Sequence, residues 1–116
     1  MDKGKNVLGY LLNLRIFESY QQYFMNEIQT KYFIDSNNVK EILSNSFKSI
    51  VENNTCEDLN LSNKNVSIDL NHIQCDLKNP FITFKCKIIN QDKTIGFYSV
   101  VFEQTGKIID DFFVIF

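Results

Sequence analysis

Few residues in this chain have side chains suited to chemistry. His72 is the single histidine, the cysteines are Cys56, Cys75 and Cys86, and the clearest acidic pair is Asp110 beside Asp111. An imidazole and a carboxylate are the minimum for general acid–base work, so a catalytic or ligand-binding reading needs a pocket lined by His72, Tyr98 and one of those aspartates. A serine or cysteine nucleophile would depend on the same histidine as its base. The plainer reading is that a lone histidine at a strand irregularity is exposed or structurally hydrogen-bonded, while adjacent aspartates serve solubility and protect a sheet edge. One histidine with unspaced carboxylates makes no metal-ligand set. The isolated Gly4, Gly9, Gly96 and Gly106 make no phosphate loop, so neither a metal nor a cofactor is expected. The cysteines are odd in number and lack CxxC spacing, which implies neither a zinc module nor a complete disulfide framework. Cys75 and Cys86 fall on the apolar faces of strands, where a reduced thiol acts as a small hydrophobe.

The elements that must position these groups centre on the C-terminal run. Two strands, Ile95 to Glu103 and Lys107 to Phe116, are joined across Gln104, Thr105 and Gly106, and the glycine supplies the positive φ of a tight turn. Both faces of this hairpin are apolar. Alternation points Tyr98, Val100 and Phe102 one way and Ile95, Phe97 and Val101 the other, and it opposes Ile109, Phe113 and Ile115 to Ile108, Phe112, Val114 and Phe116. One face covers a core, and the other then needs a partner. Whichever is buried, Asp110 or Asp111 shares it, and an outward or rim position is expected for the pair. Phe97, Tyr98, Asp110 and Asp111 are therefore the candidate partner-binding residues.

Ahead of the hairpin, Val7, Tyr10, Leu11, Leu14, Phe17, Phe24 and Ile28 recur at helical spacing, predicting one long helix or two over Val7 to Phe33. Asn38 with Glu41 has capping-box spacing, and Val39, Ile42, Leu43, Phe47, Ile50 and Val51 form an amphipathic stripe to about Glu52. Asn53 to Asn65 has no period and reads as a loop, with Leu59 and Leu61 either tacking it down or starting an edge strand. Val66, Ile68 and Leu70 alternate strictly, and Ile73, Cys75 and Leu77 resume with shifted parity, so a bulge or break is expected near Asn71 and His72. Asn79 and Pro80 turn the chain into a strand that buries Ile82, Phe84, Cys86 and Ile88.

The 116 residues, 44% of them hydrophobic and with a net charge of −2, suit one α+β domain over 1–116. Its N-terminal helices are expected to pack on a curved, four-stranded antiparallel sheet. Arg15 is the sole arginine and the lysines are scattered, which argues against nucleic acid. No stretch reaches the roughly 20 apolar residues needed to span a bilayer. Lys3 and Lys5 precede an apolar run that Asn13 and Arg15 cut short, so no signal peptide and a cytoplasmic location are expected.

In element order the chain resembles the cystatin-like or nuclear-transport-factor-2-like cone, a curved meander wrapped on a long helix. Its terminal strand, Gly106, Lys107, Ile108, Ile109, Asp110, Asp111 and Phe112, looks like that of the immunity proteins of contact-dependent toxin systems within that fold. The resemblance implies a non-enzymatic protein that binds and neutralises a toxin. Two other classes stand beside it: a small-molecule binder or enzyme using His72 and an aspartate, and a structural homo-oligomer, a homodimer in its simplest form.

Overall fold

The structure, a computed structural model, describes residues 27–116. The elements run α1 (Glu27–Ser36), α2 (Val39–Asn53), α3 (Cys56–Leu59), β1 (Ser67–Ile68), β2 (Gln74–Lys78), β3 (Phe81–Asn90), β4 (Lys93–Glu103) and β5 (Ile108–Ile115). This is an α+β architecture with an open antiparallel sheet of five strands. Five strands replace the expected four because the stretch from Val66 to Leu77 does not run through as one strand. β1 and β2 both pair with β3, at Ile88 and Ile89 and at Phe81 to Lys85, and Asp69 to Ile73 is the break between them. Ile68 and Ile73 both pack against the core, as the parity shift requires.

Most of the N-terminal helical stripe, Val7 through Phe24, lies outside the described residues. Within α1, Thr30, Phe33, Ile34 and the following Asn37 are half-buried at helical spacing, and the rings of Phe33 and Phe84 stack with centroids 5.7 Å apart. Ile28 does not belong to that face and is 80% exposed. The expected capping box is absent. Asn38 takes a left-handed backbone, φ 52° and ψ 42°, which turns the chain sharply between α1 and α2 but is not the extended geometry from which an N-cap side chain reaches its helix. The loop after α2 holds one unexpected helical turn, α3, capped by the Thr55 hydroxyl accepting from the Asp58 N–H at 3.0 Å.

α2 buries Val39, Leu43, Phe47 and Val51 on the inner sheet face, against Ile82, Phe84, Cys86 and Ile88 of β3 and Tyr98, Val100 and Phe102 of β4. Each buried aliphatic or aromatic side chain here is worth about 1.5–3 kcal/mol of transfer free energy, and the α2–β3–β4 layer is where that stabilisation concentrates. Phe47 sits in an aromatic group with Tyr98 and Phe113, its ring centroids 5.7 and 5.8 Å from theirs.

Two irregularities correct the simple alternation of the hairpin. The register slips between Ile88 and Ile89, leaving Ile95 as the extra residue of β4, and Ile95 packs with the core rather than beside Phe97. A second slip sets Val101 opposite Asp110 but Phe102 opposite Ile108. Ile109 is the extra residue there, so it leaves the face of Phe113 and Ile115 and is exposed. Gly106 closes the hairpin at φ 96°.

Candidate functional site

The sheet's outer face is divided into two halves. Toward β2 and β3 it is mostly polar, carrying Gln74, Asp76, Lys78, Thr83, Lys85 and Lys87, with Phe81, 40% exposed, and the half-buried Ile89 at the two ends of β3. Toward β4 and β5 it turns apolar. Phe97 lies opposite Val114, Ser99 opposite Phe112, and Val101 opposite Asp110. Phe97 is half-buried: the Phe116 ring meets it edge-on at 5.3 Å between centroids, and the Lys85 ammonium lies 4.4 Å from its ring centre. That cation–π contact marks where the polar half begins. The side chains of β5 lack comparable cover. Phe112 and Val114 are 51% and 50% exposed on a strand with no second neighbour among the described residues, and Phe116, just past its end, is 72% exposed.

The two aspartates part company on opposite faces of β5. Asp110 is outward, opposite Val101, and its carboxylate accepts from the Asp111 backbone N–H at 2.8 Å. Asp111 is on the inner side, opposite Val100, yet β5 is an edge strand and the carboxylate remains exposed. It accepts a hydrogen bond from the Tyr98 hydroxyl at 2.8 Å. The inward aspartate is thus both bonded to a tyrosine and wet, which answers the cost of placing a carboxylate on an apolar face. Burial pushes the Tyr98 phenol above its usual pKa, and the Asp111 hydrogen bond and charge push it further.

His72 is elsewhere. It lies in the break between β1 and β2, beside β3, whereas Asp110 and Asp111 are on β5 at the opposite edge of the sheet. Its carboxylate partner is Asp69, with Nδ1 2.9 Å from Oδ2, and the imidazole is 78% exposed. The other Asp69 oxygen accepts from the Asn71 N–H at 3.0 Å, so this aspartate holds the turn that interrupts the strand. The His72 hydrogen bond, followed by that of Asn71, holds the Asp69 carboxyl below its ordinary pKa. The structure therefore joins Tyr98 with Asp111 and His72 with Asp69, and does not bring His72 to Tyr98.

Cys56, Cys75 and Cys86 are free thiols. Burial raises the Cys86 pKa to about 11 and raises that of Cys75 as well, the reverse of what a reactive thiolate needs. Among the described residues no group of histidine, cysteine and carboxylate side chains is placed to hold a metal ion, and no helix is long and apolar enough to cross a membrane. Tyr98 beside one of the two aspartates was among the expectations from sequence, and Asp111 is that aspartate, without His72, because a tyrosine and an aspartate on facing strands of a hairpin meet diagonally. The capping of the Asp111 N–H by Asp110 was not foreseen. Compared with known proteins, the chain matches no family model, no curated protein and no solved structure.

Proposed function

We propose that this chain is a non-enzymatic binding protein whose partner is another protein, seated on the apolar half of the outer sheet face. One observation carries the reading: Phe112 and Val114 on β5 and Phe116 just past its end stand exposed in a row, beside Phe97 and Val101 and next to the Asp110 carboxylate. Aromatic anchors with a charged rim are the composition of a protein-recognition patch, in which the rings supply affinity and the rim charge steers association. The acidic rim favours a basic partner surface. The order of helices followed by an antiparallel meander supports the likeness to cystatin-like and nuclear-transport-factor-2-like immunity proteins, so the partner we propose is a toxin domain neutralised in the cytoplasm. An acid–base enzyme is the weaker reading, since the His72 imidazole is 78% exposed and pairs with Asp69 beside β3, away from Asp110 and Asp111 on the β5 edge.

The test is to co-express the chain with the product of the adjacent gene and measure direct binding by calorimetry. Replacing Phe112 by lysine is expected to weaken binding by tenfold or more, about 1.4 kcal/mol, with an unchanged melting temperature. Binding that ignores Phe112→Lys, or no binding to that product, would count against the proposal.

A further inference from the structure

The backbone of β5 carries information beyond its side chains. The Phe116 N–H donates to the Ile95 carbonyl at 2.9 Å, so Ile95 and Phe116 form a hydrogen-bonded pair of the β4–β5 ladder. Antiparallel alternation then turns the backbone groups of Val114, Phe112 and Asp110 toward β4, and those of Ile115, Phe113 and Asp111 toward the free edge. These outward groups are not equivalent. The Asp111 N–H is occupied by the Asp110 carboxylate. Among the described residues the open part of the edge is therefore Phe112 to Phe116, with paired donors and acceptors at Phe113 and Ile115, and Asp110 closes it on one side.

We infer that this open edge pairs with its own copy, β5 against β5 about a twofold axis through Val114. Self-pairing must match outward residues with outward residues. With the axis at Val114, Phe113 bonds to Ile115 of the second copy and Ile115 to its Phe113, so every open donor is used and the occupied Asp111 N–H is not called on. Phe112 then lies opposite Phe116 of the second copy and Val114 opposite its own counterpart, cross-strand pairs of aromatic and β-branched side chains. Both aspartates fall outside the paired segment. Moving the axis to Phe113 sets Asp110 opposite Phe116 and Asp111 opposite Ile115, placing carboxylates against apolar side chains and demanding the donor that Asp110 already holds. The self-complementary register is thus singled out by where the charges and the capped N–H lie.

Five residues of edge pairing bury well below the roughly 1,200 Å² of a stable interface, so the dimer is weak and reversible. It goes beyond the partner reading, because it uses the strand edge and leaves the outer face open. Two copies side by side join their apolar halves into one continuous face across the axis.

The experiment is sedimentation equilibrium of the full chain between about 10 μM and about 1 mM, a range spanning weak association. The expected result is a monomer–dimer equilibrium. Ile115→Pro removes an outward N–H while leaving Phe112, Val114 and Phe116 in place, and Val114→Lys sets two like charges on the axis. Each variant is expected to raise the dissociation constant about tenfold or more with far-ultraviolet circular dichroism unchanged. A monomer throughout the range overturns the inference without touching the partner reading. A dimer that survives Ile115→Pro but is lost with Phe112→Lys also overturns it, since the copies would then meet face to face. If Ile115→Pro alters the dichroism, amide exchange of the native chain decides: protection of the Phe113 and Ile115 N–H groups that rises with protein concentration is expected, and protection there that does not change with concentration overturns the inference.

Discussion

Tyr98 is the residue on which inner and outer requirements meet. Its ring is fully buried between Phe47 and Phe113, and its hydroxyl reaches the wet edge to donate to Asp111. Because burial and then Asp111 raise its pKa in the folded state, the fold holds the phenol proton more tightly than the unfolded chain does. That contribution to stability is fully present below about pH 10, the unperturbed tyrosine value, and is lost as pH rises through the folded-state pKa. Cys86, raised from 9.0 to about 11, acts with the same sign from a lower starting point. Alkaline denaturation should therefore begin near pH 9 and steepen above pH 10, roughly where the two groups ionise in the unfolded chain. Tyr98→Phe is expected to cost about 1 kcal/mol at neutral pH, since Asp111 can turn to water, and to flatten the limb above pH 10. Urea midpoints measured from pH 7 to pH 11 check both statements. An alkaline limb unchanged in Tyr98→Phe would show that Tyr98 is not the group responsible.

At the scale of elements, the β4–β5 pairing depends on one close approach. A Cβ built on Gly96 would collide with the Val114 carbonyl oxygen and touch Ile115, both parts of β5. Gly96→Ala is therefore expected to push β5 away from β4 and destabilise the chain by about 1–3 kcal/mol, the range for overpacking. A urea midpoint equal to that of the native chain would contradict this. The elements differ in how plainly the sequence announced them. The amphipathic stripe of α2, the Gly106 turn and the strand break near His72 were legible because each rests on local periodicity or on a single turn residue. Ile95 and Ile109 were not. Each is the extra residue of a bulge, and a bulge depends on how two strands settle against each other, which no single strand's alternation reports. Asn38 misled for a similar reason: its spacing to Glu41 matched a cap, but the turn between α1 and α2 required a left-handed residue there. The turn of α3 did have a signal, Thr55 three residues before Asp58, within a stretch that otherwise lacked a period.

For the whole molecule, the sheet has one covered face and one divided face, and the division falls along the strand direction. Helix α2 accounts for the inner side. Lysines, one of them laid over Phe97, account for the β3 half of the outer side. The β5 half is left exposed among the described residues. The candidate residues of the sequence reading sort accordingly: Phe97 and Asp110 belong to the outer face, Tyr98 and Asp111 form a strut behind it, and His72 with Asp69 shapes a turn at the far edge. Whether that exposed half is the binding face is tested most directly by amide hydrogen exchange on the full chain, with and without the product of the adjacent gene. New protection confined to β4 and β5, centred on Phe112 to Phe116, is the expected result. Protection centred instead on the Asp69–Ile73 turn, or none at any concentration, would contradict it.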